Sequence, residues 1–213
     1  MKNKLKLVIL PTIIILLPIA AGLILWNRLP DRVATHFDFN GNPNGYSSKA
    51  MAVFGLPLIM LLIEFVCLFV TLNDPKRKNI SDKILGLVLW IAPIISLIVS
   101  FLVYLKALNI EFSMISATSI IFALLFIIIG NYLPKCRRNY TIGIKLPWTL
   151  DDEDNWNKTH RFTGIFYVIF GFVCLLNVFI GSEILFLTGV ILVGLIPLAY
   201  SFILYKKKQK SKE

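Results

Sequence analysis

The residues able to do chemistry are few, and most lie in one stretch, Asn139 to Gly164, reading NYTIGIKLPWTLDDEDNWNKTHRFTG. It carries two tryptophans, a run of four acids, a histidine and several bases. Outside it stand Glu64, within the apolar run PLIMLLIEFVCLF, and the pair His36 and Asp38. None of these makes a catalytic set. The chain has no HExxH, no GxSxG, no Walker loop and no paired acids inside an apolar run. We therefore read it as a non-enzyme with no cofactor. His36 and Asp38 lack a third ligand, so a solvated strand face is preferred to a metal site. Consecutive acids such as Asp151 to Asp154 point in different directions on a helix. Capping and solvation explain them better than cation binding.

These residues are positioned by membrane helices. Hydrophobic residues make up 57% of the 213-residue chain and charged residues 16%, with a mean hydropathy of +0.76. A soluble domain carries roughly 45–50% apolar and about 25% charged residues. The excess is gathered into runs of about 20, the length that crosses a bilayer core of roughly 30 Å. Six runs stand out: Leu7 to Trp26, Met51 to Leu72, Ile84 to Leu105, Phe112 to Tyr132, Phe162 to Ile180 and Ile184 to Tyr205. The expected fold is an all-α polytopic membrane bundle of six transmembrane helices. The first run extends beyond a usual signal-peptide core and reads as an uncleaved span. Prolines at 11, 18, 57, 93 and 197 predict kinks that neighbouring helices satisfy.

Lysine and arginine set the orientation. Eighteen fall in the N-terminus, the 73–83 and 133–161 loops and the C-terminal tail; Arg28, Arg32, Lys49 and Lys106 fall opposite. The positive-inside rule places both termini in the cytoplasm. It also accounts for the net charge of +10 without direct nucleic-acid binding. The 73–83 loop then reads as a solvated basic turn beside anionic headgroups. Cys67, Cys136 and Cys174 form no CxxC pair and read as buried small hydrophobes.

Two loops remain. Residues 27–50 are the only sizeable external element. Val33 to Phe39 alternate with strand period, and Asn40-Gly41 and Asn44-Gly45 are turn signals, so a short extended or hairpin element on the outer membrane face is expected. If a ligand arrives from outside, His36, Asn40, Gly41, Asn44, Gly45 and Lys49 are candidates to meet it. On the inner side, Ile142 to Pro147 should be extended or turned, since the residue before proline avoids helical angles. Thr149 and Asp152 have capping-box spacing, which predicts a helix from Leu150 running unbroken into the fifth span. On it Trp156 and His160 share a face, and Asp154 pairs with Lys158. Trp148 and Trp156 read either as interfacial anchors or as an aromatic docking surface. Glu64, costly in a bilayer, reads either as a functional group or as a hydrogen-bonded structural acid.

The loop 27–50 and the motif NYTIGIKLPWTLDDEDNWNKTHRFTG together resemble the SdpI-type bacterial immunity proteins. The pattern is Asn, Gly-Ile-basic, Pro-Trp-Thr, an acidic turn, Trp and a His/Asn-Arg pair. The resemblance implies residues 1–72 as an N-terminal span pair with external loop 27–50, and 73–213 as a four-span region with cytoplasmic loop 133–161. It implies protection against a secreted sporulation-delay-type toxin met outside, and a signal receptor that holds a repressor at the membrane. Its motif residues fall on Asn139, Gly143, Lys145, Pro147, Trp148, Thr149, Trp156, His160 and Arg161, with Lys145 where arginine is common. Rival readings are a membrane sensor that binds a regulator without giving immunity, and a small transporter using Glu64.

Overall fold

The computed structural model describes residues 2–38 and 41–211, with side chains from Val8 onward. Seven helices and one hairpin run in the order α1 (Lys2–Ile24), β1 (Arg32–Phe37), β2 (Pro43–Ser48), α2 (Leu56–Leu72), α3 (Asp82–Ala107), α4 (Met114–Tyr132), α5 (Pro147–Asp151), α6 (Glu153–Ile180) and α7 (Glu183–Lys210). Among the described residues, five helical stretches are long and apolar enough to cross a membrane: Met51–Leu72, Asp82–Ala107, Met114–Lys135, Glu153–Ile180 and Glu183–Lys210. Val8–Ile24 of α1 is apolar but shorter.

The chain forms two compact units, one of residues 1–72 and 82–112, the other of residues 73–81 and 113–213. In the first unit α3 packs on α1 and α2.

In the first unit, prolines lie inside α1 and α3 and at the start of α2. Pro57 has no N–H to give to the carbonyl four residues back. Met51–Gly55 accordingly winds as a π-helical turn, and α2 begins only at Leu56. In α1, carbonyls around Pro18 gain side-chain donors from α3. Ser96 Oγ donates to the Ile15 carbonyl (3.1 Å) and the Tyr104 hydroxyl to that of Pro18 (2.9 Å). The hairpin forms as expected, antiparallel, with Val33 opposite Ser47 and Ala34 opposite Tyr46. Val33 is its anchor, buried with Leu29, Ala52, Val53, Val103 and Tyr104.

In the second unit, α4 and α6 make the tightest contact. Glycines allow it. A Cβ on Gly130 would lie 2.6 Å from the Gly164 carbonyl oxygen, and one on Gly164 would lie 2.6 Å from that of Gly130. Below them Ala123, Phe170, Cys174, Phe186 and Val193 form the core. A tight turn joins the last two helices. Gly181 ends α6 at φ +66°, and Ser182 caps α7 by accepting from the Leu185 N–H.

Candidate functional site

The loop between α4 and α6 is built around buried polar side chains. Asn139 is 2% exposed and uses its whole amide. Its oxygen accepts from the N–H groups of Thr141 (2.9 Å) and Ile142 (2.6 Å). Its nitrogen donates to the carbonyls of Arg137 (2.8 Å) and Ile142 (3.0 Å). An asparagine side chain in a turn replaces backbone partners that a helix or sheet would supply. Thr149 does the same one step on. Its hydroxyl accepts from the Leu146 N–H (2.9 Å) and donates to the Ile144 carbonyl (2.8 Å).

Beneath this turn lie Trp156 and His160. They share one face of α6 as expected and stack with ring centroids 4.0 Å apart. Trp156 Nε1 donates to the Cys136 carbonyl at 2.8 Å. His160 Nδ1 bonds the Trp156 carbonyl (2.8 Å), and its Nε2 receives the Ile144 N–H (3.0 Å). A carbonyl can only accept and a backbone N–H can only donate. The ring is therefore the neutral tautomer with its proton on Nδ1. Gly143 crosses directly over the stack at φ +121°. A Cβ there would collide with His160 Nε2 and stand 3.1 Å from two atoms of the Trp156 ring.

Two expectations are corrected here. Thr149 does not cap a continuous helix. It sits in the third position of the five-residue α5, which Pro147 opens, and its hydroxyl is spent on the preceding turn. Asp152 is extended at φ −126°, breaks the helix and caps α6 by accepting from the Asp154 N–H. Trp156 is likewise neither an interfacial anchor nor an exposed docking residue. It is 0% exposed, and His160 1%. Their shared face turns inward onto Gly143, because the turn needs a flat floor and acceptors for its N–H groups.

The 73–83 loop is also corrected. It is not merely a solvated turn, because Asp74 is buried and belongs to the site. Its carboxylate takes the Thr141 hydroxyl (2.5 Å) and the N–H groups of Lys76 (2.7 Å) and Tyr140 (2.9 Å). Burial pushes the Asp74 carboxyl upward, and the hydrogen bonds from Thr141, Lys76 and Tyr140 together outweigh it and hold the group below the ordinary carboxylate range. Asn79 Nδ2 donates to the Arg138 carbonyl at 2.6 Å. The sequence signal was an acid directly before a proline, one of two acids in a basic loop.

On the other flank, α7 is stitched to the loop. Asn155 Nδ2 reaches the Ser201 carbonyl (3.0 Å), and Trp148 Nε1 reaches the Ser201 hydroxyl (3.0 Å). Lys208 pairs with Asp152 at 2.7 Å, and this bridge leads the causes that hold the Asp152 carboxyl low. Asp154 and Lys158 pair at 2.7 Å as expected. Trp148 is half-buried, stacked on Tyr205 and edge-on to Phe202. It lines a cavity of about 280 Å³ with Asp151, Asp152, Tyr205, Lys208 and Gln209. Lys145, Pro147 and Arg161 are exposed, as is Tyr140, with the Lys76 ammonium 5.0 Å from its ring centre.

The remaining candidates belong to the first unit. His36 Nδ1 bonds Asn44 Oδ1, and Gly45 leaves no room for a Cβ beside His36. Gly41 takes φ +81° in the turn; Asn40 lies outside the described residues. Lys49 lies over the Trp26 ring and pairs with Asp31 at 3.2 Å. Glu64 is buried, with Thr12 Oγ1 3.4 Å from Oε2. No group of three metal-ligating side chains occurs among the described residues. The three cysteines are free.

Residues 13–61 match a domain of unknown function, DUF1648, which takes in most of α1, the hairpin and the start of α2. Residues 135–201 match the SdpI/YfhL protein family. They run from the turn after α4 to Ser201, the residue that receives both Trp148 and Asn155. The chain is 28% identical to the immunity protein SdpI of Bacillus subtilis (strain 168), over 96% of its own length and 98% of the relative's. No solved structure matches it. Its long apolar helices and this relative make it a multi-pass protein of a bacterial cell membrane. A family match that covers most of the buried polar loop, and a relative aligned nearly end to end, make the chain similar to the SdpI-type proteins of the SdpI/YfhL family.

Proposed function

We propose that this protein is a membrane immunity protein that protects its cell against a secreted sporulation-delay-type toxin. The observation that carries the reading is the nearly end-to-end similarity to an immunity protein. The expected topology is six spans with both termini and residues 133–161 in the cytoplasm, leaving the hairpin of residues 27–50 to meet the toxin outside. The test is a toxin challenge of cells with and without the gene. Survival that does not depend on the gene would remove the immunity role.

A second reading, signal reception, draws on the build of the loop. Its inner residues satisfy one another, so it has the character of a rigid platform with Trp148 beside an open cavity of about 280 Å³. A cytoplasmic repressor would place a side chain there, against the Trp148 and Tyr205 rings. Buried aromatic anchors dominate interfaces, and losing one typically costs about 2 kcal/mol or more. Trp148→Ala should therefore weaken repressor recruitment about thirtyfold when recruitment is normalised to protein level. Wild-type recruitment by that variant would move the docking site off the cavity.

A further inference from the structure

The three helices of the first unit enclose more unmet polar chemistry than their packing needs. The buried face of α2 carries Pro57, Glu64 and Thr71, spaced seven apart and so on one side of the helix. Glu64 is 1% exposed, Thr71 0% and Ser100 of α3 1%. Glu64 Oε1, Thr71 Oγ1 and Ser100 Oγ have no hydrogen-bond partner. In a bilayer, unmet groups of this kind are expensive, and intramembrane acids mark ion or proton sites. Of the twelve acids in the chain, Glu64 alone lies within an apolar run.

Hydrogen-bond bookkeeping decides what Glu64 holds. Thr12 Oγ1 lies 2.9 Å from the Val8 carbonyl and 3.4 Å from Glu64 Oε2. A hydroxyl has one proton, and the carbonyl can only accept. The shorter bond therefore takes the Thr12 proton, which leaves Glu64 Oε2 with at most a weak, shared donor and Oε1 with none, so that the buried acid is kept neutral by a proton of its own. Among the described side chains no cation faces it. The described apolar run of α1 and the π-helical turn before α2 have no titratable residue. α2 offers only Cys67, and the apolar run of α3 only Tyr104, whose hydroxyl is given to Pro18. A divalent cation would take about six or more oxygens. Glu64 has one side-chain oxygen for a neighbour, which suffices for a proton alone.

We infer that the unit formed by α1, α2 and α3 binds a proton at Glu64 and exchanges it along a seam of hydroxyls. The seam runs through Thr71 toward one end of the unit and through Ser96 and Ser100 toward the other. Seven helical residues rise about 10 Å, so exchange between Thr71 and Glu64 needs intervening water. Uptake and release involve the proton only, with no change at any other bond.

Infrared spectroscopy of the full-length protein in lipid nanodiscs tests this. At neutral pH the wild type should show the C=O stretching band of a carboxylic acid. Glu64→Gln should remove that band. Labelling glutamate with carboxyl carbon-13 should lower its frequency in the unmutated protein, which keeps the test valid if the variant fails to fold. Glu64 is the only glutamate in an apolar run, so no other labelled group is expected to contribute. Absence of a label-sensitive acid band at neutral pH would overturn the site. Deuterium exchange of the band should slow severalfold in Thr71→Val or Ser100→Ala. Unchanged exchange in both would overturn the path.

Discussion

Replacing Trp156 separates a residue that builds the loop from one that meets a partner. The indole is 0% exposed, stacks on His160 and gives its N–H to the Cys136 carbonyl. Trp156→Ala removes the floor under Gly143 and leaves a cavity where the rings stacked. Truncations of this kind typically cost about 3–5 kcal/mol. Trp156→Phe keeps an aromatic ring for His160 but orphans the Cys136 carbonyl, a cost of about 1–3 kcal/mol. For a chain of this length 1 kcal/mol corresponds to about 2–4 °C in melting temperature, so the phenylalanine variant should melt about 2–12 °C lower. The alanine variant should melt lower still. The assay is thermal unfolding of the detergent-purified protein, with limited proteolysis of residues 133–161 as a local readout. Both variants should expose the loop to protease, and alanine more than phenylalanine. An alanine variant with wild-type melting and an uncut loop would refute the packing argument and return Trp156 to the surface.

Gly143→Ala should destabilise the same loop. It adds a Cβ against His160 and demands φ +121° of a residue that resists it. A cost of about 1–3 kcal/mol is expected, read as a lower melting temperature, and unchanged melting would show that the stack yields. Topology is checked by cysteine labelling in intact cells, in a background where the three native cysteines are replaced by serine. A cysteine at Ser47 should react with a membrane-impermeant reagent, and one at the exposed Lys158 should not. The reverse pattern would invert the assigned sides.

The helices were legible because apolar length is read directly from sequence, and the hairpin because alternation and Asn-Gly turns are local signals. The stack of Trp156 on His160 followed from their spacing of four. What spacing could not say is which way that face turns. That depends on Gly143, which approaches the rings only because Asn139 and Thr149 fold the turn back over them. The break at Asp152 was missed for a related reason. Thr149 and Asp152 have the spacing of a capping box, but Pro147 starts a helix three residues earlier and the Thr149 hydroxyl is taken by Ile144 and Leu146. Asp74 was missed because its partners lie in a distant segment, Tyr140 and Thr141, and no local pattern announces a contact across that separation.

The motif residues thus divide by the direction they face, and the division governs how a loss of function should be read. Asn139, Gly143, Thr149, Trp156 and His160 spend their polar groups, or their lack of a side chain, on one another and on the turn. Removing any of them changes the shape of the loop, so a lost activity would say nothing about contact with a partner. Lys145, Arg161 and Tyr140 are exposed, and Trp148 is half-buried beside a cavity. These can be changed at little cost to the scaffold, with Trp148 the exception because its indole N–H holds Ser201. A partner is therefore found through the second group, and the first group is what keeps that second group in place.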